Sequence, residues 1–239
     1  MSHSIHFPNE SASYRESRDR LLEAEIRLRK NIEEVAALRR SLPLGGEVAQ
    51  DYVFTESSSD LQDSHTERKV RLSELFRPEQ NTLAIYSYMY GPNMKEPCTS
   101  CTSILDGLNG ASPHINQRIS FVAVAKSPLQ RIRAIARERG WKNLRILSSE
   151  GTSYNRDYQG ENAKGDQTPS LNVFTRRDGR IYHFYNTELM FAPKESGQDG
   201  RHVDMIWPLW NMFDYTPEGR GANWYPKLRY AEPVQIGKN

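Results

Sequence analysis

The chain of 239 residues contains two cysteines, Cys98 and Cys101, in the spacing C-x-x-C. A thiolate, not a thiol, is the nucleophile of sulfur chemistry, so the element carrying each cysteine decides what it can do. Upstream lies the strongest strand pattern in the chain, Thr82 to Tyr90, closed by Gly91-Pro92, and downstream Cys101 to Leu108 suits a helix. That order puts Cys98 at a helix start, where unpaired backbone N–H groups and the positive end of the dipole favour thiolate. Cys101 falls one turn deeper on the same face, placed to attack a mixed disulfide formed at Cys98 and release the product. Thr99 and Ser100 offer hydroxyls to the thiolate, and Lys95 offers a charge that Glu96 offsets. Cys98 is read as the nucleophile and Cys101 as the resolving thiol, with a disulfide-bearing protein or a small-molecule thiol or disulfide as partner. The dithiol is then its own redox group and needs no organic cofactor.

Other chemistries compete for the same pair. Buried and inert thiols are one. A zinc site needs about four ligands, and neither a second C-x-x-C nor an H-x-x-x-H exists, so no metal ligand set is assigned. A copper carrier built on Cys98, Cys101 and His183 would suit soft thiolate and imidazole donors. His114 reads as a surface histidine.

The elements that must hold the pair are legible in outline. Tyr14 to Arg40 carries neither Gly nor Pro and reads as one long helix ended by Pro43 and Gly45-Gly46. Leu21, Leu28, Val35 and Leu42 recur every seven residues, with Ala24, Ile32 and Leu38 on the same side, so this arm could support a homodimer. Glu16–Arg20, Glu23–Arg27 and Glu25–Arg29 are favourable i,i+4 pairs. Asp51–Phe54 and Lys69–Leu72 read as strands, Ile119–Ala125 and Leu144–Leu147 as further strands, and Ser127-Pro128 as the cap of a helix ending at Gly140. Strands alternating with helices imply parallel crossovers and a sheet covered on both faces. Leu171–Phe174 and Ile181–Tyr185 flank Arg177-Asp178-Gly179, a hairpin signal. Pro169 opens the first of these strands, where a proline loses no ladder bond. The C-terminal forty residues gather Trp207, Trp210, Phe213, Tyr215, Trp224, Tyr225 and Tyr230, enough aromatic surface to wrap a domain.

The series strand, Cys98-Thr99-Ser100-Cys101, helix, strand, helix, strand, Thr168-Pro169, strand, Asp178-Gly179, strand resembles the thioredoxin-like superfamily. Tyr88-Met89-Tyr90-Gly91-Pro92, Val122–Leu129, Tyr154–Tyr158 and Asp214–Gly221 more narrowly resemble a bacterial thioredoxin-like family, domain of unknown function 899. The resemblance covers nearly the whole chain. It implies an α/β fold with a central mixed sheet flanked by helices, an N-terminal helical arm (1–45), a thioredoxin-like domain (46–239) and an aromatic C-terminal wrap (198–239). It also implies a cis peptide bond at Thr168–Pro169, packed against the dithiol and presenting backbone to substrate. Two departures stand out: thioredoxins have Trp before the first cysteine and Gly-Pro between the two, where this chain has Pro97 and Thr-Ser. The peroxiredoxin pattern, in which Pro-x-x-x-Thr precedes the peroxidatic cysteine, is absent, since Met94 and Lys95 stand four and three residues before Cys98, which weakens a thiol peroxidase reading.

The polar stretch Ser148–Gln167 precedes Pro169 and is expected beside the dithiol as a lid, with Tyr154, Arg156 and Tyr158 as substrate contacts. Arg131, Arg133, Arg137 and Arg139 share a helix with Glu138 and read as a solvated face. A net charge of +2 gives no reason to expect nucleic acid. Mean hydropathy is −0.75, and no run approaches the ~20 apolar residues of a membrane span. The first eight residues lack the apolar run of a signal peptide, so a cytoplasmic location is expected.

Overall fold

Ser11 caps a helix by accepting a hydrogen bond from the Tyr14 N–H (3.1 Å), and α1 runs from Ala12 to Arg40 without a breaker. At 1.5 Å per residue its 29 residues span about 43 Å. None of its residues is buried. The i,i+4 ion pairs that close are Arg15–Asp19 (3.4 Å) and Lys30–Glu34 (3.7 Å), not the three Glu–Arg pairs expected. Exposed pairs gain too little in water to freeze two long side chains, so which of them close is not set by spacing alone.

The computed structural model describes residues 5–63, 65–190, 192–193, 195–196, 206–217 and 224–230. The chain divides into two compact units, Met1–Leu44 and Gly45–Asn239. The second unit is built on a seven-stranded sheet in the order β2-β1-β5-β4-β3-β6-β7. Its strands are β1 (Val53–Ser57), β2 (Glu67–Arg71), β3 (Thr82–Ser87), β4 (Ser120–Ala125), β5 (Ile146–Ser148), β6 (Ser170–Arg177) and β7 (Arg180–Asn186). β3, β4 and β5 are parallel; the remaining pairs are antiparallel. The β6–β7 turn has positive φ at both Asp178 (51°) and Gly179 (75°), the two-residue hairpin turn that Asp-Gly favours.

Helix α2 (Thr99–Ile115) joins β3 to β4, and α3 (Leu129–Arg139) joins β4 to β5. Both crossovers step the same way along the sheet, and connections of one hand then fall on one face. Ala84, Tyr86, Phe121, Ala123 and Ala125 accordingly pack against Cys101, Ile104 and Leu105 of α2 and Ile132, Ile135 and Ala136 of α3. The opposite face, carrying Leu83, Ile85, Val122 and Val124, is covered instead by Tyr52, Leu72, Leu75, Phe76 and Tyr154. Helix α3 starts one residue later than Ser127-Pro128 suggests: Pro128 holds the cap position with extended ψ (137°), and Ser127 is buried. Gly140 ends it with φ +66°, the left-handed conformation a glycine adopts without strain.

The α3 arginines are not a solvated face. Arg133 is only 6% exposed and donates to the carbonyls of Ser58 (3.0 Å), Asp60 and Asp63 (3.0 Å). Arg139 donates to Asp106 and to the Leu228 carbonyl (2.7 Å). A planar guanidinium with five donors can satisfy several loop carbonyls at once, so these residues latch irregular chain to the helix.

Part of the C-terminal stretch joins the same face. Trp207 and Trp210 are buried in the cluster that contains Cys101, and the Trp207 indole N–H donates to Ser103 Oγ (3.0 Å). A short helix α5 (Pro208–Asp214) carries Trp210. Residues 198–205, 218–223 and 231–239 of the expected wrap, and with them the second half of the Asp214–Gly221 motif, lie outside the described residues.

Replacing Arg133 by Ala strips three loop carbonyls of their donor. The expected cost is about 1–3 kcal/mol, read from denaturant unfolding, with faster proteolysis between residues 58 and 65. Arg133→Lys is expected to recover less than half, because one ammonium cannot reproduce the fork.

Candidate dithiol site

The segment between β3 and α2 is held from several directions. The Tyr88 N–H donates to the Val124 carbonyl (2.8 Å), and the Cys98 N–H donates to the Met89 carbonyl (3.0 Å). From α3, the Arg131 guanidinium reaches the carbonyls of Gly91 (3.5 Å), Pro92 (3.0 Å), Met94 and Lys95 (3.3 Å) while lying 4.5 Å over the Tyr90 ring. One cation thus gathers the whole approach to Cys98. Gly91 is required there: a Cβ would stand 2.9 Å from Gln167 Cγ.

Cys98 is the cap residue of α2, half-buried, with extended backbone (φ −60°, ψ 126°). Its carbonyl accepts from the Thr102 N–H (3.0 Å) and hydroxyl (2.8 Å), and the Tyr88 hydroxyl in turn donates to Thr102 Oγ1 (2.7 Å). Both thiols are free, and Cys101 is buried with 2% of its surface exposed. The Cys101 S–H donating to Cys98, with the backbone N–H groups of Cys101 and Ser100, lowers the Cys98 pKa to about 6 against the opposing effect of burial. Cys101 moves the other way: its bond to Cys98, its burial and the Cys98 charge all hold it as a thiol. No charged side chain is among the causes of the Cys98 shift; Lys95 is exposed, and Glu96 pairs with Arg229 (3.1 Å).

The Thr168–Pro169 bond is trans, correcting the expected cis bond. Trans is the lower state of an X–Pro bond by roughly 0.5–1 kcal/mol, and Thr168 is tied by its N–H to the Gly160 carbonyl (3.0 Å) and by its hydroxyl to the Gln159 carbonyl. Pro169 still stands at the end of β3 that leads to the dithiol, next to Ser170, which pairs with Ser87.

The Ser148–Gln167 stretch is pinned by a polar network and is not a free lid. Lys126 Nζ binds both Glu161 carboxylate oxygens (2.8 and 2.6 Å), and Gln167 donates to Glu161 (3.4 Å). Asn155 donates to Gln167 (3.3 Å) and accepts from the Ser149 hydroxyl (2.5 Å). Within this stretch, helix α4 (Tyr154–Asp157) turns its first residue into the opposite core: Tyr154 has no exposed surface and packs edge-on to Phe54 and Tyr52. Tyr158 stacks on the same side against Phe174 (4.9 Å), and Arg156 is exposed and paired with Asp157 (3.5 Å). Tyr154 and Tyr158 therefore belong to the core on the face away from the thiols, because aromatic area buries more strongly than a loop position suggests.

His183 is corrected in the same way. Its ring lies 5.5 Å from Phe174 and from Tyr158, with Nε2 bonded to Asn172 Oδ1 (3.0 Å), on the face opposite Cys101. It cannot complete a copper site with the dithiol, and no group of three or more metal-ligating side chains occurs among the described residues. Two neighbours of the dithiol escaped sequence reading. Arg131 was masked by the other arginines of its helix. Tyr86 was masked by an apolar strand, although Tyr86, Tyr88 and Tyr90, spaced by two, put three phenols on one face.

A parallel strand–dithiol–helix–strand unit followed by an antiparallel hairpin defines a thioredoxin-like α/β protein. The family model for a bacterial protein of unknown function, DUF899, matches residues 4–232, and the chain belongs to that family. No curated protein matches it in sequence. Among solved structures it is similar to the reduced 2-Cys peroxiredoxin of Plasmodium vivax, at 13% identity over 72% of this chain and 99% of that one, with a TM-score of 0.44. Thioredoxin peroxidase I of Plasmodium yoelii gives 15% identity, 70% and 88% coverage and a TM-score of 0.44. A peroxidoxin of Mycobacterium tuberculosis gives 18%, 70% and 95%, and 0.42.

The alkylation rate of Cys98 is expected to rise with pH about a midpoint near 6, since rate follows thiolate fraction. Cys101→Ala removes the largest stabilising donor and should move that midpoint upward, as followed by iodoacetamide labelling and mass spectrometry. For Tyr154, truncation to Ala should cost roughly 3–5 kcal/mol, as for other buried aromatics, whereas Tyr154→Phe should melt within a few degrees of the unaltered protein. A catalytic defect in a fully stable Tyr154→Ala protein would reverse the assignment of this residue to the core.

Proposed function

We propose that the protein is a thiol–disulfide oxidoreductase in which Cys98 attacks and Cys101 resolves. The observation that carries this reading is the asymmetry of the pair: Cys98 is half-buried at a helix start with its pKa near 6, while Cys101 is buried and held as a thiol. The Cys98 thiolate attacks one sulfur of a substrate disulfide, and the other sulfur leaves as a thiolate and takes a proton. Cys101 then loses its proton and attacks Cys98; the Cys98–substrate bond breaks, and the second substrate sulfur leaves and is protonated. The substrate disulfide has gained two electrons and the protein holds a Cys98–Cys101 disulfide, which a reductase or small thiols return to the dithiol.

The substrate is a disulfide-bearing protein or a small-molecule disulfide, to which Thr168 and Pro169, next to the Ser170–Ser87 pair, are proposed to present backbone. A dithiol that must be re-reduced fits the cytoplasm. The arm is proposed to pair with a second copy of itself: Leu21, Leu28 and Val35 repeat at seven residues on a helix with no buried residue, Leu42 continues the spacing just past its end, and such a stripe is self-complementary about a two-fold axis.

Cys98→Ser is expected to abolish disulfide reduction. Cys101→Ser should react quickly and stall as a mixed disulfide, visible by mass spectrometry, and the trapped partner identifies the substrate. Equal slow labelling of both thiols with no adduct would defeat the proposal. Deleting residues 1–42 should turn a dimer into a monomer of the shortened chain, as measured by light scattering; an unchanged oligomeric state would remove the arm as the dimer contact.

A further inference from the structure

Three phenols line the face of β3 and the segment after it that packs against α2. Tyr88 has its bond to Thr102, and the Tyr90 ring lies under Arg131. Tyr86 differs. It has no exposed surface, and its hydroxyl has no hydrogen-bond partner in the free dithiol. A hydroxyl taken out of water without a partner bears its full desolvation penalty, so its presence in a well-packed core calls for a reason. Tyr86 shares a buried cluster with Cys101, whose sulfur adds to burial in raising the phenol pKa.

We propose that Tyr86 is a positioning residue for the resolving thiol: its O–H, unpartnered while Cys101 is a thiol, donates to the Cys101 thiolate as that forms and attacks the mixed disulfide. This rests on the dithiol reading above. In the free dithiol the Cys101 S–H is engaged with Cys98. Once Cys98 is bound to substrate, that acceptor carries no charge, and Cys101 needs donors of its own. Tyr86 and the Met89 N–H are the two groups that pull the Cys101 pKa down. Burial holds the Tyr86 phenol protonated, which keeps it a donor. It gives up no proton in the step. The Cys101 proton ends on the departing substrate sulfur, the Cys98–Cys101 bond forms, and the Cys98–substrate bond breaks.

The test mixes reduced protein with dithiobis(nitrobenzoate) in a stopped-flow instrument. The first coloured thiolate reports attack by Cys98, and the second reports resolution by Cys101. Tyr86→Phe is expected to slow the second release about tenfold at neutral pH and raise its pH midpoint by about one unit, leaving the first release unchanged. A ring-fluorinated tyrosine at position 86 keeps the shape, strengthens the donor and should accelerate the second release, which covers the case in which the Phe variant fails to fold. An unchanged second release in either folded variant, or equal slowing of both releases, overturns the role of Tyr86 while leaving the dithiol reading intact. If the unaltered protein gives no second release, both fall.

Discussion

A buried S–H donating to a half-buried sulfur at the first turn of a helix is the interaction on which this site depends. It splits two chemically identical groups: Cys98 is drawn down toward pH 6 and Cys101 is pushed up. The Cys98 shift needs no charged side chain. Backbone N–H groups and one thiol suffice because the pair sits where the helix leaves its donors unpaired and where water is partly excluded. Any change that turned Cys101 outward would equalise the two sulfurs and end the division of labour.

Keeping that geometry is the task of the surrounding chain. The β3–α2 segment has only a few main-chain bonds of its own, so its carbonyls are collected by Arg131 from the next helix. Thr102 and Tyr88 fix the Cys98 carbonyl from below. On the far side of α2, Trp207 and Trp210 close the same cluster, so the C-terminal aromatic segment supports the helix that carries the dithiol. The polar network of Lys126, Glu161, Gln167 and Asn155 holds the loop before Pro169 in place, with Gln167 against Gly91. These contacts come from four separate stretches of chain and meet only because β3, β4 and β5 end at one edge of the sheet.

Local patterns in the sequence determined a good deal. The dithiol between a strand and a helix, the Asp178-Gly179 turn, the Gly140 stop and the uninterrupted helix from residue 12 to 40 each follow from rules that act within a few residues: dipoles, φ preferences and the absence of breakers. The alternation of elements was enough to place the parallel strands. Tertiary structure decided which face each side chain meets. Tyr154 and His183 looked available for substrate or metal, yet the packing of α4 turns Tyr154, and the pleat of β7 turns His183, toward the face away from the thiols. Arg131 and Arg133 looked solvated, yet they carry loop carbonyls from 36 to 75 residues away in sequence. The Pro169 bond is trans, and the chain before it is tied to residues 159 and 160, contacts that no local pattern records. Tyr86 reads as one more apolar strand residue until α2 is packed across it and Cys101 becomes its neighbour. Burial and long-range pairing depend on what the fold brings from elsewhere, so they are not written in the residues that undergo them.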